Sequence, residues 1–167
     1  VREVRAILNQ CLIEKNYPFL AAFVLVLYCG CRVGETKRML WEHIRYWDKS
    51  VRVTESVSKK TKKLRPRTPE IPPNALCWLR FCFSEYSAKM NEKIIQNSTT
   101  YFYVQTRKLL LRAGVETWNR NVFRHTFASY GGNHFGLTLV SEMMGHHQGT
   151  GILRDNYLHL TSKGESK

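Results

Sequence analysis

Residues 18–40 read PFLAAFVLVLYCGCRVGETKRML. Pro18 suits the first turn of a helix, where its missing N–H is no loss. Ala21, Ala22, Val24, Leu25 and Leu27 leave this helix apolar nearly all round, so it is expected at the centre of a core, with neighbours on every side. The apolar run Phe19 to Tyr28 is ten residues, too short to span a bilayer. Gly30 stops the helix. Gly34 to Leu40 then suits a short helix that packs through Met39, Leu40 and Trp41.

The segments around this centre are amphipathic. Val4, Leu8, Cys11 and Leu12 recur at helical spacing and predict a helix over 2–14. Further helices are expected over Asn74 to Tyr86, Thr100 to Arg112, Asn119 to Tyr130, Leu137 to Met144 and Leu153 to Leu160, with Gly131-Gly132 and Gly145 as breaks. Residues 87–98 are polar and take no assignment. Ser50-Val51-Arg52-Val53-Thr54 alternates like a strand, and Arg67 to Ile71 reads as its return before Pro72-Pro73. The expected fold is mainly α with a small antiparallel β-hairpin or three-stranded sheet. With 167 residues and 43% hydrophobic content, one domain over 1–167 is expected. The chain opens without Met in mid-pattern, which suggests a piece of a longer protein.

Lys and Arg number 26 against 13 Asp and Glu, a formal charge of +13. The excess is densest in Lys59-Lys60-Thr61-Lys62-Lys63-Leu64-Arg65-Pro66-Arg67. So basic a domain repels itself unless a polyanion balances it, so nucleic acid is the expected partner. No helix combines a basic face with a broad apolar one, which argues against a membrane surface. No signal peptide is expected. Of five cysteines, Cys11, Cys77 and Cys82 read as small core residues, and Cys29-x-Cys31 has no matching pair for zinc. A reducing, cytoplasmic setting is expected.

Two arginines stand out. Arg32 follows Gly30 at a helix–helix junction, with Glu35 three residues on. It suits either a bidentate grip on phosphate or a buried structural ion pair. In Asn121-Val122-Phe123-Arg124-His125-Thr126-Phe127-Ala128, Asn121 and Arg124 share one helical face, and Phe123 and Phe127 are expected to anchor the other. Taken alone, this reads rather as an ordinary surface arginine on a packed helix.

Together these segments resemble the tyrosine recombinase (phage integrase) family. Gly30-Cys31-Arg32-Val33-Gly34-Glu35 is similar to its first arginine box, and Arg124-His125-Thr126-Phe127-Ala128 to its second. Met144-Gly145-His146 is similar to its Leu-Gly-His box, Tyr157 falls where the family carries its nucleophile, and the segment around Lys60-Thr61 resembles its lysine-bearing hairpin. The boxes stand in family order over residues 29–157. The match is to the catalytic domain, and the family's N-terminal core-binding domain is expected upstream.

The resemblance implies DNA cleavage and rejoining through a 3′-phosphotyrosine link, with no metal, cofactor, ATP or small-molecule substrate. Catalytic parts fall to Arg32, Lys60, Asn121, Arg124, His146 and Tyr157, with Glu35 holding the Arg32 guanidinium. Lys59, Lys62, Lys63, Arg65 and Arg67 are expected to contact DNA. Lys59 and Lys62 compete with Lys60 as general acid, and His147 competes with His146. Many members carry His where this chain has Asn121, which can donate to phosphate but cannot serve as a base. Double-stranded DNA is the implied partner. A homo-tetramer is implied on DNA, and a monomer or weak dimer in its absence. The alternatives are a non-catalytic basic DNA-binding module and a type IB topoisomerase-like enzyme.

Overall fold

The apolar stretch forms α2, Tyr17–Cys29, and every side chain from Phe19 to Leu27 is buried. In this computed structural model, which describes residues 2–54, 66–116 and 121–145, six other helices gather around it. They are α1 (Arg2–Ile13), α3 (Val33–Thr36), α4 (Pro73–Glu85), α5 (Thr99–Arg112), α6 (Val122–Phe135) and α7 (Leu137–Met144). α1, α3, α4 and α6 pack on α2 itself, α5 packs on α1, and α7 packs on α6. Aromatic pairs help fix these directions. Phe19 stacks on Phe102 of α5 at 4.8 Å between ring centres, and Phe23 meets Phe123 of α6 at 4.9 Å. Such pairs contribute about 0.5–1.5 kcal/mol beyond simple burial.

The β element is as small as expected. β1 (Ile44–Arg45) pairs antiparallel with β2 (Ser50–Val51), Ile44 opposite Val51. The chain returns along the other side of β2, with bridges from Ser50 to Glu70 and from Val53 to Arg67. The return over 67–71 matches expectation. β1 was not foreseen, because two residues are too few to carry a period. The lysine-rich tip between the strands lies outside the described residues, as does the helix expected over Leu153 to Leu160.

Other expectations need correction. Cys77 is exposed on α4 and is not a core residue. Helix α6 runs straight through Gly131-Gly132. A Cβ on Gly131 would sit 3.1 Å from Val140 and one on Gly132 3.1 Å from Leu137, so these glycines let α7 lie close and do not break the helix. Helix α3 ends at Thr36, and Trp41 opens a 3-10 turn to His43 with its ring fully buried. The unassigned 87–98 segment covers this turn: Trp41 and Glu42 donate to the carbonyls of Glu92 and Met90, and Ile94 donates back to Met39. No described helix is long and apolar enough to cross a membrane.

Gly30 ends α2 in the left-handed region, with φ 61°. A Cβ there would lie 2.6 Å from Cε1 of Phe127 and 3.0 Å from Cγ of Met144. Gly30→Ala is therefore expected to destabilise the fold twice, by about 1–2 kcal/mol for the left-handed backbone and by about 1–3 kcal/mol for overpacking. Urea unfolding checks it, and a loss below about 1 kcal/mol would contradict the packing.

Candidate active site

A single carboxylate organises the start of α3. Arg32 is the extended residue before the helix, and Glu35 reaches back to it. The Arg32 backbone N–H donates to Glu35 Oε2 at 2.7 Å, and its guanidinium donates to Oε1 at 2.9 Å. Such a reach satisfies one of the donors a helix start leaves orphaned. The expected Arg32–Glu35 contact is therefore present, with the Arg32 side chain 41% exposed and that of Glu35 only 3%.

A second arginine meets the same carboxylate. Arg67 places a bidentate fork on it, at 2.9 Å to Oε1 and 2.6 Å to Oε2. The sequence put Arg67 among the DNA-contacting basic residues. Its side chain is instead 9% exposed and points at Glu35. The cause is register. Arg67 exchanges both backbone hydrogen bonds with Val53, and alternate residues of a strand share a face. Arg67 thus falls on the side of buried Ile71, where the charge of Glu35 needs a partner. The alternation Arg67-x-Pro69-x-Ile71 was the available signal, masked by the run of lysines before it.

Arg124 departs from expectation in a similar way. It was placed on the face away from Phe123 and Phe127, yet all three are buried. Its guanidinium donates to the Gly30 carbonyl and, at 2.6 Å, to the Met144 carbonyl. It therefore ties α6 to the C-terminal ends of both α2 and α7. Arg67 Nε donates to the neighbouring carbonyl, Met143, at 2.7 Å. Two arginines thus hold consecutive carbonyls at the end of α7, where a helix leaves acceptors unsatisfied and its dipole is negative. Gly145 then turns left-handed with φ 69°, and a Cβ on it would come 3.3 Å from Arg67. The turn at Gly145 therefore lies directly against Arg67. These carbonyl contacts are invisible to motif reading, because backbone acceptors carry no residue signature.

Electrostatics shows that the four charges converge. Burial pushes the Cys31 thiol up to about 12, opposed by Arg67, Arg124 and Arg32 and reinforced by Glu35. So Arg32 and Arg124, far apart in sequence, both act on one buried thiol. Cys29 is buried too, and its thiol is raised well above its ordinary value by that burial. Among the described residues no cluster of His, Cys, Asp and Glu has the makings of a metal site. Burial works against ionisation of Glu35, but the Arg67 fork and the Arg32 contacts outweigh it and hold the carboxyl at about 2. Burial and the adjacent Arg124 cation both lower His125.

Asn121 precedes α6, one turn before Arg124, and its carbonyl accepts from the His125 N–H at 2.8 Å. The structure thus brings together Arg32, Glu35, Arg124 and, unforeseen, Arg67. Lys59, Lys60, Lys62, Lys63, Arg65, His146, His147 and Tyr157 lie outside the described residues.

The model of the phage integrase family matches residues 1–163. Seven chains of solved structures match the fold. One is the crystal structure of XerA recombinase, with a TM-score of 0.72 at 17% identity, covering 91% of this chain and 55% of that one. This chain thus spans about half the length of that relative. No curated protein matches it in sequence.

The depressed Glu35 carboxyl sets a pH window. A group held at about 2 when folded, against an ordinary 4.5, stabilises the fold above 4.5 and loses that contribution as pH falls toward 2. The loss is on the order of 3 kcal/mol for this group. Unfolding free energies measured across that window should fall less steeply for Glu35→Gln than for the wild type. Parallel curves would mean that Glu35 does not carry the charge of this cluster.

Proposed function

The chain belongs to the phage integrase family, and from that premise we propose that it is the catalytic domain of a site-specific DNA recombinase. The supporting observation is the convergence of Arg32 and Arg124. Arg124 is locked to the carbonyl of Gly30, two residues before Arg32 in the chain. A phosphodiester in transfer gathers negative charge on its non-bridging oxygens. Guanidinium groups held in place beforehand stabilise that charge without having to reorganise during the reaction. Arg32 is held by Glu35 while its side chain stays partly open to solvent, the arrangement needed to meet a backbone phosphate.

In this reading the Tyr157 hydroxyl oxygen attacks phosphorus and loses its proton. The bond from phosphorus to the 5′ oxygen breaks, and Lys60 protonates the leaving oxygen, with Lys59 and Lys62 as rivals for that part. The products are a 3′-phosphotyrosyl ester and a free 5′-hydroxyl. The ester conserves the bond energy, so a 5′-hydroxyl from another strand reverses the step. His146 donates to the phosphate from just beyond Gly145, and Asn121 donates an amide hydrogen from the start of α6. The lysine-rich stretch, with Lys59, Lys62, Lys63 and Arg65, follows the DNA backbone. Arg67 does not belong to that group. The partner is double-stranded DNA, and joining strands of two duplexes calls for a tetramer on it.

A nicked duplex that traps the cleaved intermediate tests this. The wild type should form a covalent adduct, Tyr157→Phe should form none, and Arg32→Ala and Arg124→Ala should each slow adduct formation by about 100- to 1000-fold. DNA retention without any adduct would favour a non-catalytic binding module. Rejoining confined to one duplex would favour a topoisomerase. Binding itself should weaken steeply with salt, with log affinity falling by about 0.9 per neutralised phosphate for each unit of log salt. A flat response would contradict the assignment of the basic stretch.

A further inference from the structure

The geometry points to Arg67 as a positioning residue for strand cleavage: through Glu35 it sets the net charge around Arg32 and the orientation of its guanidinium, and through the Met143 carbonyl it fixes the end of α7. This rests on the recombinase reading above. Arg67 offers donors on all sides of a planar fork, and three are engaged by two elements remote in sequence. Its backbone belongs to the strand that returns from the lysine-rich stretch. One side chain therefore links the root of that stretch, the Arg32 turn and the end of α7.

The charge balance gives Arg67 a further consequence. Glu35 accepts from Arg32 and Arg67 on both of its oxygens. With Arg67 present, the triad of two cations and one carboxylate is net positive by one. Without Arg67, the carboxylate would cancel Arg32, and a phosphate beside Arg32 would meet a neutral pair. Arg67 neutralises Glu35 from the buried side, which leaves the charge of the more exposed Arg32 for the phosphate. Lysine restores the charge but not the fork, and it lacks the donor that holds Met143.

Single-turnover cleavage of the nicked duplex, DNA affinity against salt, and thermal unfolding separate this from other parts for Arg67. The variants are Arg67→Lys, Arg67→Gln, Glu35→Gln and the double Glu35→Gln/Arg67→Gln. Cleavage by Arg67→Gln should be slower by about 10- to 100-fold. Arg67→Lys should lie between it and the wild type. The double variant, whose triad is again net positive by one, should cleave faster than the product of the two single losses by about tenfold. A salt slope smaller by about 0.9 in Arg67→Gln with an unchanged cleavage rate would make Arg67 an ordinary phosphate contact and overturn the proposal. So would losses that simply multiply, or failure of both Arg67→Lys and Arg67→Gln to fold, which would leave Arg67 a purely structural residue. A wild type that forms no Tyr157-dependent adduct sinks the recombinase reading and this one together. A wild-type adduct with unimpaired Arg67 variants sinks this one alone.

Discussion

The site depends on one buried carboxylate held between two guanidinium groups. Glu35 is nearly inaccessible and would be costly to ionise alone, yet Arg32 on one side and Arg67 on the other keep it charged. Breaking a buried pair by removing one partner costs more than the pair contributes, because a charge is left uncompensated. The strand register of Arg67, the turn at Gly30 to Arg32 and the short α3 must therefore agree in position. A shift of any one by a residue would strand a charge inside the protein.

The same two buried arginines that serve this cluster also finish a helix. α7 is eight residues long and packs on α6. Its last carbonyls have no intrahelical partners. Met143 and Met144 find them in Arg67 and Arg124, and Gly145 turns the backbone away in the left-handed conformation. A helix end that most proteins satisfy with water or a local turn is here bound to the centre of charge. Both glycines take the left-handed conformation at this close approach; a Cβ on Gly30 would overlap Phe127, and one on Gly145 would crowd Arg67.

Much of this was legible beforehand, because it rests on local patterns. The apolar stretch around Val24 reads as a central helix for want of a polar face, and α4, α5 and α7 follow from their apolar spacing. The boxes around Arg32 and Arg124 are contiguous residues whose order survives without any fold. What misled were residues whose surroundings come from elsewhere in the chain. Arg67 stands beside a run of lysines and looks like one more surface charge, until pairing with Val53 turns it inward. Gly131-Gly132 looks like a break until α7 lies against it. Cys77 looks like its buried neighbours but falls on the outer face of α4.

The sequence by itself determined the helical class, the central position of α2, the family of the chain and the pair Arg32 and Glu35. All of these are carried by neighbours within a few residues, where helical geometry alone decides what can touch. Only the tertiary structure decided that Arg67 shares Glu35 with Arg32, that Arg124 is buried, and that both close the end of α7. Those contacts join residues from 20 to 94 positions apart, several of them through backbone carbonyls that every residue possesses alike. No spacing encodes such a contact. It exists because packing around α2 brings a buried carboxylate, two cations and the open end of a helix into one small space.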